Sequence, residues 1–172
     1  MREKGFTLIE LLVVITIIGM LSAIVLVSLR GAREKAMIAR AQAETKQIYN
    51  AIFMLEMDTG EWPGHQPPNT IHSGSGDNEL CHDDPGGKKL SDGVGGLVSN
   101  DGYYTNWKGP YLTADQLIDP WGNEYFFDTD YDLNPVLGNQ NEYGVVIGSY
   151  GKDGDGWNEY DDNDVFYIIT RP

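Results

Sequence analysis

Between Glu10 and Arg30 the chain carries no formal charge, and the nineteen intervening residues are almost all aliphatic. At about 1.5 Å per residue they make roughly 29 Å of helix, close to the hydrocarbon thickness of a bilayer. The pattern therefore predicts a membrane span. A cleavable secretory signal would have a shorter apolar core closed by a small-x-small site, whereas Ser22-Ala23 lies inside the run. Beyond Arg30 the pattern changes, but nothing ends the helix. Residues 30–58 contain no Pro and one Gly, Gly31, while Ala32, Ala36, Ala39, Ala41, Ala43 and Ala51 are strong helix formers. Ile48, Ala51, Ile52 and Leu55 recur at spacings of three and four, an apolar stripe that must pack against something. Thr59-Gly60 followed by Trp62-Pro63 supplies a stop. The expectation is one continuous helix of about fifty residues, far above the usual globular length, greasy all round in its first half and amphipathic in its second.

After the helix the periodicity disappears. Residues 65–100 are dense in Pro, Gly, Ser, Asn and Asp and read as an extended loop. Three short segments then read as strands: 124–127 (EYFF), 143–147 (YGVVI) and 165–169 (VFYII), each rich in aromatic or β-branched residues and bounded by Gly, Asn or Asp. A small antiparallel sheet laid over the Ile48, Ile52 and Leu55 stripe satisfies both elements, since neither buries its apolar face alone. The predicted fold class is α+β. Its parts are a membrane half of the helix at 6–29, an amphipathic half at 30–59, and a loop-rich globular domain at 60–172.

Charge sharpens this division. The 172 residues hold twelve Lys and Arg against twenty-six Asp and Glu. Seven of the basic and four of the acidic groups fall in the first 47 residues, which leaves five basic against 22 acidic groups, a net −17, from Ile48 onward. Such a surface repels nucleic acid and attracts divalent cations. The one cysteine, Cys81, excludes an internal disulfide. His72, Cys81 and His82 show no zinc-ligand spacing and read as ordinary loop residues. There is no nucleophile elbow, HExxH or glycine-rich phosphate loop, so the sequence predicts no enzyme.

The carboxylate of Glu10 is the anomaly of the N-terminal segment, because a charge at the bilayer centre costs about 2.5–3.5 kcal/mol even on lenient insertion scales. Its setting carries a resemblance. Gly5-Phe6-Thr7-Leu8-Ile9-Glu10, preceded by the basic leader Met1-Arg2-Glu3-Lys4 and followed by the apolar run, resembles the class III signal of type IV pilins and pseudopilins. That resemblance implies a leader at 1–5, removed by a prepilin peptidase that cuts after Gly5 and methylates the new N-terminus at Phe6. A carboxylate in hydrocarbon is tolerable when a cation neutralises it, and the implied cation is the α-amino group of Phe6 in a neighbouring subunit. Glu10 then acts as a register device for a homopolymeric filament. Counting basic residues on either side of the span does not decide its orientation. The family implies a bacterial inner membrane, the leader in the cytoplasm, the C-terminal domain outside, and a periplasmic or extracellular filament. One departure stands out: many relatives carry a Pro twenty-two residues into the mature chain, where this sequence has Val27. Gly19 and Gly31 remain as the soft points of the helix.

Lys108-Gly109-Pro110-Tyr111-Leu112, Asp119-Pro120-Trp121-Gly122-Asn123-Glu124-Tyr125 and Met57-Asp58-Thr59-Gly60-Glu61-Trp62-Pro63 resemble signatures of major pseudopilins of type II secretion systems. The implied partners are an inner-membrane assembly platform and minor pseudopilins. A type IV pilus subunit for adhesion, motility or DNA uptake is the alternative. By itself the DPWGN stretch reads as a tight turn capped by Asp, with a packed Trp and no chemistry.

Residues 151–164 hold five Asp and one Glu among glycines. Crowded carboxylates on a turn-rich segment repel one another, and a hard divalent cation with six to eight oxygen ligands relieves that repulsion. Against an EF-hand loop, Asp153, Asp155 and Asp164 fall at positions one, three and twelve, but Trp157 and Asn158 occupy five and six and no helices flank the segment. The loop is similar instead to the calcium loop of major pseudopilins. That similarity matches Asp153 as the first ligand and Asp161 or Asp162 as a later one, with Asp155 and Asp164 as further candidates from local chemistry. The expected cofactor is Ca²⁺.

Overall fold

In the computed structural model, the described residues are 7–71, 79–81, 86–133, 143–154 and 163–170. The chain divides into two compact units, Met1–Met37 and Ile38–Pro172. Helix α1, Leu8–Thr59, runs through 52 residues. It ends where the sequence places the stop: Gly60 takes φ +78°, and its N–H donates to the Glu56 carbonyl at 2.7 Å.

In the first unit the described aliphatic side chains of α1 stand open, and Leu8, Ile15, Ile18, Leu21 and Ile24 are all more than half exposed. The helix is long and apolar enough to cross a membrane, by length and composition.

In the second unit the stripe is buried. Ile48, Ala51, Ile52 and Leu55 pack into one core with Trp62, Leu80, Leu90, Leu97, Leu117, Tyr125, Phe127, Val145 and Ile147. Burying each of the larger aliphatic side chains contributes about 1.5–3 kcal/mol. The sheet has three antiparallel strands in the order β1 (Phe126–Asp132), β2 (Tyr143–Ser149) and β3 (Val165–Thr170). Polar contacts add to the helix–sheet packing, with the Tyr125 hydroxyl donating to Glu44 Oε2 at 2.8 Å and Tyr49 lying against Tyr167.

Two features go beyond the sequence pattern. Strand β1 continues past the aromatic run through Asp128, Thr129 and Asp130, all buried, with a register shift between Asp128 and Tyr131. The sheet is also covered on its second face, where Phe126, Tyr131, Leu133, Val146 and Tyr150 form a separate core with Cys81. Burial on both faces explains why the strands read as continuous apolar runs rather than alternating ones. The 65–100 loop supplies part of this cover through Cys81, and its neighbour Leu80 ties the loop to β1 by exchanging backbone hydrogen bonds with Phe127 at 2.8 and 3.1 Å.

The end of the helix is tied down twice. Lys108 Nζ and the Tyr111 hydroxyl donate to the two oxygens of Asp58, at 2.7 and 2.8 Å, and hold its carboxyl below the ordinary range. His65, stacked on Tyr104, places Nδ1 2.6 Å from Glu61 Oε2 and Nε2 3.0 Å from Asp101 Oδ2. Burial works against the charged imidazole, but the hydrogen bonds and charges of Asp101 and Glu61 outweigh it and hold the ring above its ordinary value.

Candidate functional site

Three places carry the candidate chemistry: the N-terminus of α1, the mouth of the acidic loop, and a carboxylate group under the sheet. At the first, Gly5 and Phe6 lie outside the described residues. Glu10 is described, and it is engaged within its own helical turn. The Thr7 N–H and hydroxyl both donate to Glu10 Oε2, at 2.9 and 2.7 Å, and the Glu10 N–H reaches Thr7 Oγ1 at 3.4 Å. This is a reciprocal capping box, Thr-x-x-Glu, which satisfies donors that the first turn of a helix otherwise leaves open. The sequence carries the signal for it in Thr7, three residues before Glu10.

At the second place, Asp155, Asp161 and Asp162 lie outside the described residues, whereas Asp153 and Asp164 are described. Asp153 is exposed and its Oδ2 accepts a hydrogen bond from Asn163 Nδ2. Asp164 Oδ2 accepts from the Tyr131 hydroxyl at 2.6 Å. The two ends of the loop touch through backbone: Gly151, at φ +69°, lies so close to the Asn163 carbonyl that a Cβ built on it would stand 2.2 Å from that oxygen. Only glycine fits there, for steric and for conformational reasons. The exposed Asp153 carboxylate, beside a closure that only glycine allows, is a hard oxygen donor of the kind that Ca²⁺ takes.

The mouth of this loop rests on the 119–123 turn. Asp119 is buried, and its Oδ1 accepts from the N–H groups of Trp121, Gly122 and Asn123 at 2.9, 2.7 and 2.8 Å. Its Oδ2 accepts from the Ser149 hydroxyl, whose oxygen in turn accepts the Gly151 N–H at 2.9 Å. Asn123 Nδ2 donates to the Gly151 carbonyl at 3.2 Å.

The third place was not legible in the sequence. Glu79, Asp128 and Asp130 are buried and each brings a carboxylate oxygen within 4.8 Å of the others. Burial, then the neighbouring Glu79 and Asp130, push the Asp128 carboxyl well above its ordinary range. Cys81 lies beside them with its Sγ 3.8 Å from Glu79 Oε2. His72 and His82 lie outside the described residues.

A span-length apolar helix that continues into the core of a small antiparallel sheet, opened by a Gly-Phe-Thr-Leu-Ile-Glu motif, defines a pilin-like chain. Comparison with known proteins makes the class specific. Residues 1–26 match the prokaryotic N-terminal methylation motif, and residues 88–167 match the family model of type II secretion system (T2SS), protein G. The chain is 31% identical over 155 residues to the type II secretion system core protein G of Escherichia coli K12, covering 90% of this chain and 85% of that protein. Its identity to the core protein G of Pseudomonas aeruginosa is 28% over 161 residues, 93% of each. A fimbrial protein of Neisseria meningitidis is 36% identical over 63 residues, 37% of each chain. The chain belongs to the type II secretion system protein G family. That family is structural rather than enzymatic, and the methylation motif with the apolar helix points to a membrane-anchored subunit of the secretion system.

Proposed function

We propose that this chain is the major subunit of a type II secretion pseudopilus. It is cut after Gly5 by a prepilin peptidase, methylated at Phe6 and polymerised through its N-terminal helix at the bacterial inner membrane, with the globular unit outside. The observation that carries this reading is the protein G match at 88–167, the region that supplies β1, β2, the start of β3 and both flanks of the acidic loop. The subunit works by assembly and takes no catalytic step. Its partners are further copies of itself, an inner-membrane assembly platform and minor pseudopilins. The exposed aliphatic surface of α1 supports this, because it has no cover within its own unit and lipid or neighbouring helices supply one.

Glu10 has two tasks in this reading. Within the subunit it closes the capping box with Thr7; between subunits its carboxylate neutralises the Phe6 ammonium of a neighbour. Both tasks lower the cost of holding a carboxylate at the membrane, and the second depends on register. At the other end of the chain, Asp153 with Asp161 or Asp162 takes Ca²⁺, aided by Asp155 and Asp164. The cation supplies the positive charge that the crowded carboxylates lack.

A deletion and complementation experiment tests the main reading. Loss of the gene is expected to leave exported proteins in the periplasm, and its return to restore export. Normal export in the deletion strain together with loss of long surface fibres would replace the pseudopilus with a type IV pilus. Thermal unfolding of the full chain in detergent tests the cation: millimolar Ca²⁺ is expected to raise the midpoint above that in chelator, and equal midpoints would rule the cation out.

A further inference from the structure

The glycines on either side of Lys152-Asp153 share one neighbour. Gly151 and Gly154 both occupy the left-handed region, at φ +69° and +72°. The Gly151 carbonyl accepts a hydrogen bond from Asn123 Nδ2, and a Cβ on Gly154 would stand 3.1 Å from both amide heavy atoms of Asn123. One side chain thus holds the backbone just before Asp153 by a hydrogen bond and lies close against it just after. Asn123 is itself held. Its N–H donates to Asp119 Oδ1, its carbonyl accepts from the Asp119 N–H at 2.7 Å, and the other Asp119 oxygen reaches Gly151 through the Ser149 hydroxyl. Asp119 and Ser149 are 4% and 0% exposed, so the Asp119–Ser149 link beneath Asn123 is shielded from competing water.

We propose that Asn123 is a positioning residue for the cation loop, bonding the backbone before Asp153 and packing close against it after, so that the Asp153 segment is placed before a divalent cation arrives. The inference rests on the calcium reading above and deepens it. A ligand held in place by its supporting shell costs less ordering when the cation binds, and removing such outer partners of metal ligands commonly weakens affinity 10- to 100-fold. The DPWGN turn then has a task beyond its own fold: Asp119 shapes the turn, and the turn aims Asn123 at the loop.

The test is a Ca²⁺ titration of the thermal midpoint, read on the full chain in detergent for the parent and for Asn123→Ala. The expected result is a half-saturating Ca²⁺ concentration raised about tenfold or more, with the midpoint in chelator lowered by no more than a few degrees. A merely structural Asn123 gives the opposite pattern, an equal drop in midpoint with and without Ca²⁺ and an unchanged half-saturating concentration, and that overturns the proposal. A parent that does not respond to Ca²⁺ overturns the calcium reading itself and the positioning role with it. Asn123→Ser, which keeps a small polar side chain too short to reach the Gly151 carbonyl, serves as the second variant where Asn123→Ala does not fold, and the same two patterns decide.

Discussion

The two halves of α1 are continuous in backbone and opposite in circumstance. In the distal half Ile48, Ile52 and Leu55 are at most 1% exposed, sealed by Tyr125, Phe127, Val145 and Ile147. In the proximal half equally apolar residues stand open, with Leu8 at 81% and Ile24 at 69%. One half is covered by its own chain and the other is not, and in the proposed assembly lipid or further copies cover it. Substitutions in the two halves therefore act on different properties, the stability of the folded unit and the competence to assemble.

The strongest way to break this contrast is a matched pair of truncations. Ile52→Ala leaves a cavity in the core and is expected to cost about 2–5 kcal/mol of folding stability, read as a lowered unfolding midpoint in detergent. Ile24→Ala is expected to leave that midpoint unchanged. Equal shifts from the pair would mean that the apolar half is part of the folded core.

The buried carboxylates sharpen the contrast from the polar side. Asp128 is held above its ordinary range, so the folded state binds a proton that the unfolded state releases at lower pH. Its cost to stability is absent below the unfolded value near pH 3.8, grows as the pH rises toward the folded value, and is constant beyond that. Asp128→Asn is thus expected to raise the midpoint by a few degrees at about pH 7 and to leave it unchanged near pH 4. A pH-independent effect would mean that Asp128 is not the titrating group.

A smaller effect is expected at His65, where the sign reverses. Its folded value lies above its ordinary one, so the clamp to Glu61 and Asp101 contributes fully below about pH 6.5 and is lost as the pH rises through the folded value. His65→Gln should cost about 1 kcal/mol or less at acid pH and almost nothing at alkaline pH. A pH-independent loss would assign His65 to packing against Tyr104 alone.

What the sequence made legible follows the same division. The helix and its stop, the stripe and the three aromatic strands depend on local periodicity and punctuation, which a single chain displays. The rest depends on partners distant in sequence. Asp128-Thr129-Asp130 is polar and stays in the strand because Asp128 and Tyr131 pair with β2 on either side of a register shift and the segment is covered; Asp58 meets Lys108 and Tyr111 only after the chain has folded back across fifty residues. The second core and the Glu79, Asp128, Asp130 group arise where the 65–100 loop returns to the sheet, and no spacing announces that. Of the acidic loop, the sequence displayed the carboxylates, whereas the frame beneath it, from Asp119 through Ser149 to Gly151, required the fold.

Glu10→Gln tests most directly the half of α1 that its own chain leaves uncovered. Glutamine preserves the Thr-x-x-Gln form of the capping box and removes only the charge. Pseudopilus assembly, scored by filament imaging and by export, is predicted to fail in this variant while the processed subunit still reaches the membrane with an unchanged unfolding midpoint. Assembly equal to the parent would contradict pairing between Glu10 and a neighbour's Phe6, and would leave Glu10 as a helix cap alone.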